Sequence, residues 1–197
     1  MIFAISGTQN NGKTTLIKDL METGLFDRYD LPDYRDVIKS KGLNFNQKAD
    51  LASQQTIFDC LEDNVKELAK RKGVFLMDRS PLDAYVYTRY MFHSMKNITL
   101  DTGLEHWAAI KEMEQRIRKL PIVTIFLPLC NIPIVDDGFR DTDPEYRKQI
   151  DYAFRTCLLL LKGIKVETIE TCDRVGRVEA VKAVVEKHKD TRFLTNV

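Results

Sequence analysis

Eight residues near the start of the chain, Gly7-Thr8-Gln9-Asn10-Asn11-Gly12-Lys13-Thr14, match the pattern G-x-x-x-x-G-K-[ST] in full. The flanks fit as well. Ile2-Phe3-Ala4-Ile5-Ser6 is a short apolar run of the kind that forms a buried strand, and Thr15-Leu16-Ile17-Lys18-Asp19-Leu20-Met21 has the composition and period of a helix. A strand, a glycine loop and a helix in that order form a concavity whose backbone N–H groups converge on phosphate oxygens. The first turn of the helix adds its positive end at the same point. The octet therefore predicts a nucleoside-triphosphate site made by Gly7, Asn10, Asn11, Gly12, Lys13, Thr14 and the next residue, Thr15. Lys13 is expected to reach the β and γ phosphates, and the Thr14 hydroxyl to meet a Mg²⁺ ion that bridges them.

Further apolar runs at Val74 to Met77, Ile122 to Leu127 and Val166 to Ile169 look like buried strands, with helical patterns between them. A weaker strand signal lies near Asp30 to Tyr34. Such alternation predicts an α/β chain with a parallel sheet of about five strands and helices on both faces, three layers in all. At 197 residues with 44% hydrophobic composition, one domain over 1–197 is expected. The least regular stretch, Pro128 to Pro144, holds Pro133, Gly138 and several aspartates and reads as a candidate mobile loop.

Charge and cysteine content exclude some alternatives. The net charge is +1, from 30 basic and 29 acidic residues, which provides no global field for holding nucleic acid. No run approaches the roughly 18 apolar residues needed to cross a bilayer, and Met1 leads directly into the first strand, so a cytoplasmic protein without a membrane segment is expected. Cys60, Cys130, Cys157 and Cys172 are far apart, form no C-x-x-C pair and read as reduced, packed thiols, with neither a disulfide framework nor a zinc site.

Two helices carry informative faces. Phe58, Leu61, Val65 and Leu68 form an apolar stripe, and Gln54 continues the same line one turn earlier, so its amide points inward and needs partners. Ile150, Phe154, Cys157 and Leu161 form the stripe of another helix, opened by Asp143 as N-cap with Pro144 in its first turn. Arg147 stands at the leading end of that stripe, aimed at the interior or at a cleft. On the helix from Leu82 to Met95, Tyr85, Tyr87, Tyr90 and Phe92 either stack on a flat ligand or fill the core.

A second motif, Asp78-Arg79-Ser80-Pro81, follows the run Val74 to Met77. The carboxyl ends of parallel strands form the crevice where ligands bind, so Asp78 is expected beside Lys13. A carboxylate there can hold a Mg²⁺-bound water or accept the proton of an attacking hydroxyl, and the neighbouring guanidinium can clamp phosphate oxygens.

The octet, the D-R-S after a later strand and the late arginine-bearing segment together resemble the nucleoside and nucleotide kinases of the P-loop group, relatives of thymidylate kinase, deoxynucleoside kinases and adenylate kinase. D-R-S-P-L-D-A-Y-V-Y (Asp78 to Tyr87) and D-T-D-P-E-Y-R-K-Q-I-D (Asp141 to Asp151) are more similar to the AAA-type kinase-like domain related to bacterial ribosylnicotinamide kinase. The resemblance implies the three-layer P-loop NTPase fold and catalytic roles for Lys13, Asp78, Arg79, Arg140 and Arg147, with Thr14 and Asp78 as the metal contacts. It makes 128–147 a lid, with Arg140 and Arg147 closing on the transferring phosphate to exclude water. It places acceptor contacts at Arg35, Gln54, Arg79 and Tyr85, and sets Cys172 to Gly176 near the adenine. The implied activity is transfer of the γ-phosphoryl of ATP, with Mg²⁺, to a nucleoside or (deoxy)nucleoside monophosphate; the number of candidate arginines favours an acceptor that carries phosphate. A homodimer is compatible with this reading.

Two other readings compete. One is a switch or motor that hydrolyses ATP or GTP to drive partner binding; its GTPase form should carry an N-K-x-D signature, which the sequence lacks, and D-x-x-G at Asp173 to Gly176 falls after the last strand run. A kinase acting on a base or end of DNA or RNA needs strand access and usually a basic groove, which near-neutral charge does not favour.

Overall fold

The structure, a computed structural model, describes residues 1–28, 31–44, 49–133 and 142–194, the last four of these as backbone only. Its four described strands, β1 (Ile2–Ser6), β2 (Phe75–Asp78), β3 (Ile122–Phe126) and β4 (Lys165–Thr168), form one sheet in the order β2-β1-β3-β4. All neighbours are parallel. Each expected strand lies within one residue of its apolar run, apart from the weak fifth. There, Asp27 makes a single parallel bridge to Phe75, and then Pro32 and the N-cap Asp33 turn the chain into helix α2 (Tyr34–Ser40). The expectation of about five strands is thus corrected to four among the described residues.

The remaining helices are α1 (Lys13–Glu22), α3 (Leu51–Ala69), α4 (Pro81–Ser94), α5 (Leu100–Ile117), α6 (Pro144–Leu160) and α7 (Arg174–Leu194). Every residue of β1 and β3 is buried, as required of central strands covered on both faces. Alternation along β1 divides the core. Phe3 and Ile5 pack with Leu16 and Leu20 of α1 and Val181 and Val185 of α7. Ile2 and Ala4 face Val65 and Leu68 of α3, while Phe58, Tyr85, Ile110 and Phe154 form a larger cluster among α3, α4, α5 and α6. Three layers result.

The register aligns Ile5 with Asp78, Ser6 with Phe126, and Phe126 with Thr168, so the carboxyl ends of all four strands reach one edge. β2 and β3 flank β1 on opposite sides, which makes the loop after β1 the switch point of the sheet. Everything that follows is built on that edge.

Candidate active site

The loop from Gly7 to Gly12 has a backbone that favours glycine at both ends, strictly so at Gly7. Gly7 has φ 140°, and a Cβ there would stand 2.6 Å from the Leu127 carbonyl oxygen; Gly12, at φ 75°, caps α1. Between them Asn11 acts as a staple. Its Nδ2 donates to the carbonyls of Leu127 and Pro128, both at 2.9 Å, and its Oδ1 accepts from the Cys130 N–H at 3.1 Å. Arg177 of α7 closes the outer side, donating to the Asn11 carbonyl at 2.8 Å, to the Thr171 carbonyl at 3.0 Å and to Cys130 Sγ at 3.0 Å. Burial pushes the Arg177 pKa down. Lys13 Nζ donates to the carbonyls of Gly7 (2.9 Å) and Thr8 (2.5 Å), so its charge sits on the rim of the loop.

The loop forms one wall of a cavity of about 330 Å³, to which Asn10, Asn11, Lys13 and Thr14 all contribute. Thr15 is exposed and does not line it. Asp78 and Arg79, at the end of the neighbouring strand β2, line the same cavity. Arg79 adopts a left-handed backbone, φ 73°, while its N–H still donates to the Ile5 carbonyl at 3.0 Å, which bends the chain out of the sheet and over the cavity. Its guanidinium donates to Asp83 at 3.0 Å and lies 5.8 Å from the centre of the Tyr87 ring. Burial opposes the charge on Arg79, but Tyr34, Tyr87, Asp83 and Asp78 around it raise its pKa well above the ordinary arginine value.

Asp83 was not singled out by the sequence reading, although Ser80-Pro81-Leu82-Asp83 is a capping-box spacing that could have marked it. The side chain is 1% exposed and joins three elements. Its Oδ2 accepts from the Ser6 hydroxyl (2.6 Å) and the Ser80 N–H (2.9 Å), and its Oδ1 takes the Arg79 guanidinium. The carboxylate therefore fixes where Arg79 points.

The far wall comes from α2, α3, α4 and α6. Gln54 lines the cavity at 6% exposure. Arg35 lines it too, held by a bidentate contact to Asp33, with Nη2 to Oδ2 at 2.6 Å. Tyr85 does not reach it: the ring is fully buried in the core, with its hydroxyl on Arg89 at 3.1 Å. Tyr87, about 200° further round the helix, lines the cavity instead, together with Tyr34 and Tyr146.

Arg147 is buried as its place in the stripe predicts, but it does not line the cavity. It donates to the carbonyls of Ile132 (3.0 Å) and Cys130 (2.9 Å), and desolvation lowers its pKa. Asp151, the carboxylate one turn on, binds Arg155 at 2.8 Å and the Leu129 N–H at 2.7 Å. In this arrangement Arg147 shapes the loop after β3. Arg140 and the middle of the expected lid, 134–141, lie outside the described residues. Cys172 to Gly176 leads into α7, with Asp173 capping the Gly176 N–H at 2.6 Å.

The cysteine reading is corrected. Cys130 and Cys172 form a disulfide, 42 residues apart in sequence with Cα atoms 5.8 Å apart. They follow β3 and β4, which are neighbours in the sheet, so topology brings together two residues that sequence spacing keeps apart.

The sequence matches the profile of an AAA domain over residues 2–175. The chain belongs to this family. A comparison with curated proteins finds no match. Among solved structures, the family member resembles deoxyadenosine kinase from M. mycoides with bound dATP, at 12% identity and a TM-score of 0.63, over 94% of this chain and 100% of that one. It also resembles the NadR protein in complex with NR, at 16% identity and a TM-score of 0.68, over 94% of this chain and 50% of that one. The fold of this AAA domain is thus the fold of the P-loop kinases. No described helix is long and apolar enough to cross a membrane.

Proposed function

We propose that this AAA domain is a phosphotransferase that moves the γ-phosphoryl group of ATP to a hydroxyl of a nucleoside. The observation that carries the proposal is the apposition, on one cavity, of the Lys13–Thr14 pair, the Asp78–Arg79 pair and a wall bearing the Gln54 amide and three tyrosines. The glycine-ended loop fits a triphosphate by its strand–loop–helix geometry, and Lys13 would leave its carbonyls for the β and γ oxygens. Thr14 and Asp78 line the same space and fit a nucleotide-borne Mg²⁺, which when bound offsets phosphate charge. Asp78 would accept the proton of the attacking hydroxyl, and Arg79, held by Asp83, would bind the equatorial oxygens of the group in flight. Gln54 would read the hydrogen-bonding edge of a base that packs on the tyrosine rings.

With Arg79 assigned to the group in flight, the candidate arginines that remain among the described residues are held elsewhere, Arg35 by Asp33 and Arg147 by two carbonyls, which supports an unphosphorylated acceptor over the phosphate-bearing one that their number favoured. The solved relatives are consistent with a small acceptor: one is a deoxyadenosine kinase and the other binds NR. The test is ADP release from Mg²⁺-ATP across deoxyadenosine, deoxycytidine, nicotinamide riboside, the corresponding monophosphates and single-stranded DNA, with Lys13→Ala as blank. Stimulation by a nucleoside supports the reading. Stimulation by monophosphates or DNA alone, or hydrolysis without an acceptor, overturns it.

A further inference from the structure

Gln9 occupies a variable position of the octet, where the pattern asks for nothing of the side chain, yet it is 7% exposed and lines the cavity. Its Oε1 accepts from the Tyr87 hydroxyl at 2.9 Å and from Thr8 Oγ1 at 3.0 Å. Its Nε2 is buried and has no partner among the described residues. A buried amide donor left unsatisfied is costly, and such groups in native proteins usually await a ligand or water. In this orientation the oxygen end takes both hydroxyls, which leaves the buried NH₂ end, between the phosphate loop and α4, without a partner among the described residues.

The surroundings say which side of the reaction this donor serves. Tyr87 reaches Gln9 from α4, its ring lies under the Arg79 guanidinium, and the same part of the cavity is lined by Ala84 and Tyr146. Burial keeps the Tyr87 phenol protonated, with its pKa pushed up to about 12, so it donates to Gln9 throughout the neutral range. The triphosphate already has the backbone of the loop and Lys13.

We propose that Gln9 Nε2 donates a hydrogen bond to an oxygen of the acceptor's sugar, holding the attacking hydroxyl in line with the γ-phosphoryl, and that Tyr87 positions it. This rests on the reading of the cavity as a nucleoside kinase site. It makes a specificity residue of a position the nucleotide-binding motif leaves open.

The test is steady-state kinetics of the full chain with Mg²⁺-ATP and, as acceptors, deoxyadenosine, deoxycytidine and nicotinamide riboside. Three variants are compared: Gln9→Ala, Gln9→Glu and Tyr87→Phe. Gln9→Glu keeps an oxygen for Tyr87 and Thr8 and removes the donor but buries a charge, so its melting temperature and KM for ATP are read beside its acceptor KM, and Gln9→Ala, which adds no charge, must show the same acceptor effect. The expected result is a loss of acceptor kcat/KM on the order of tenfold or more in both Gln9 variants, through acceptor KM, with the KM for ATP within about twofold of the parent. Tyr87→Phe should cost about threefold, and nothing further when combined with Gln9→Ala, because it acts through Gln9. Unchanged acceptor KM in Gln9→Glu, or a rise confined to the KM for ATP, overturns the inference while leaving the kinase reading in place. A parent protein that turns over none of the three acceptors overturns both.

Discussion

The two walls of the cavity are built differently. The wall proposed for the triphosphate, from Gly7 to Thr14, is cross-linked to parts of the chain more than a hundred residues away: Asn11 is bonded to 127, 128 and 130, and Arg177 binds its carbonyl. A disulfide then ties the loops after β3 and β4 together behind it. The wall proposed for the acceptor draws on α2, α3, α4 and α6, and its α2 part is a seven-residue helix whose cap and ion pair are local, Asp33 to Arg35. Its long-range polar ties are light, such as Asn64 Nδ2 to the Pro32 carbonyl at 3.3 Å. A triphosphate presents the same oxygens whatever the nucleoside, so a rigid cradle suits it.

That contrast can be broken most sharply at Lys13. Lys13→Ala should reduce kcat by about 10³-fold or more, because it removes the charge opposite the transferring phosphoryl, while the melting temperature changes little. Retained turnover would mean that the cradle is not a donor site. Next in size is the disulfide. The loop it closes spans 42 residues of separation, and chain entropy sets an upper stabilisation of about 4 kcal/mol. Reduction by dithiothreitol should lower the urea midpoint by an amount equivalent to ~2–4 kcal/mol and raise the KM for ATP rather than for the acceptor. An effect on the acceptor alone would reverse the assignment of the two walls.

Gln54→Ala should raise the acceptor KM on the order of tenfold and leave the KM for ATP unchanged, which steady-state kinetics checks directly. The smallest expected effect lies at alkaline pH. The Tyr87 phenol has a folded-state pKa of about 12 against an ordinary 10.0, so its neutral form stabilises the fold fully below pH 10 and that contribution is lost as pH rises toward 12. Denaturation curves of the parent should therefore fall more steeply over that window than those of Tyr87→Phe. Equal slopes would place Tyr87 in a wetter setting than the cavity floor.

The site was legible in the sequence to different depths, for physical reasons. Lys13, Thr14, Asp78 and Arg79 could be placed together because strand ends in a parallel sheet share one edge. Gln54 and Arg147 were correctly turned inward by helical period, yet the period does not say what an inward side chain meets: for Gln54 the cavity, for Arg147 the carbonyls of Cys130 and Ile132. Tyr85 was exchanged for Tyr87 because the first turns of α4 are buried nearly all round, so no apolar stripe marks the cavity side. Gln9 and Asp83 were passed over, one in a position the motif leaves free, the other spaced as an ordinary capping box.

By itself, the sequence determined a parallel α/β fold with a phosphate cradle after its first strand, because glycine φ preferences, apolar runs and helix caps such as Asp143 act over a few residues and need no distant partner. Only the tertiary structure decided that Cys130 meets Cys172, that Arg177 backs the cradle, that Asp83 holds Arg79 and that Tyr87 meets the Gln9 amide. Each of these is a contact between elements whose spacing in the chain carries no distance information until the sheet order brings their ends to one edge.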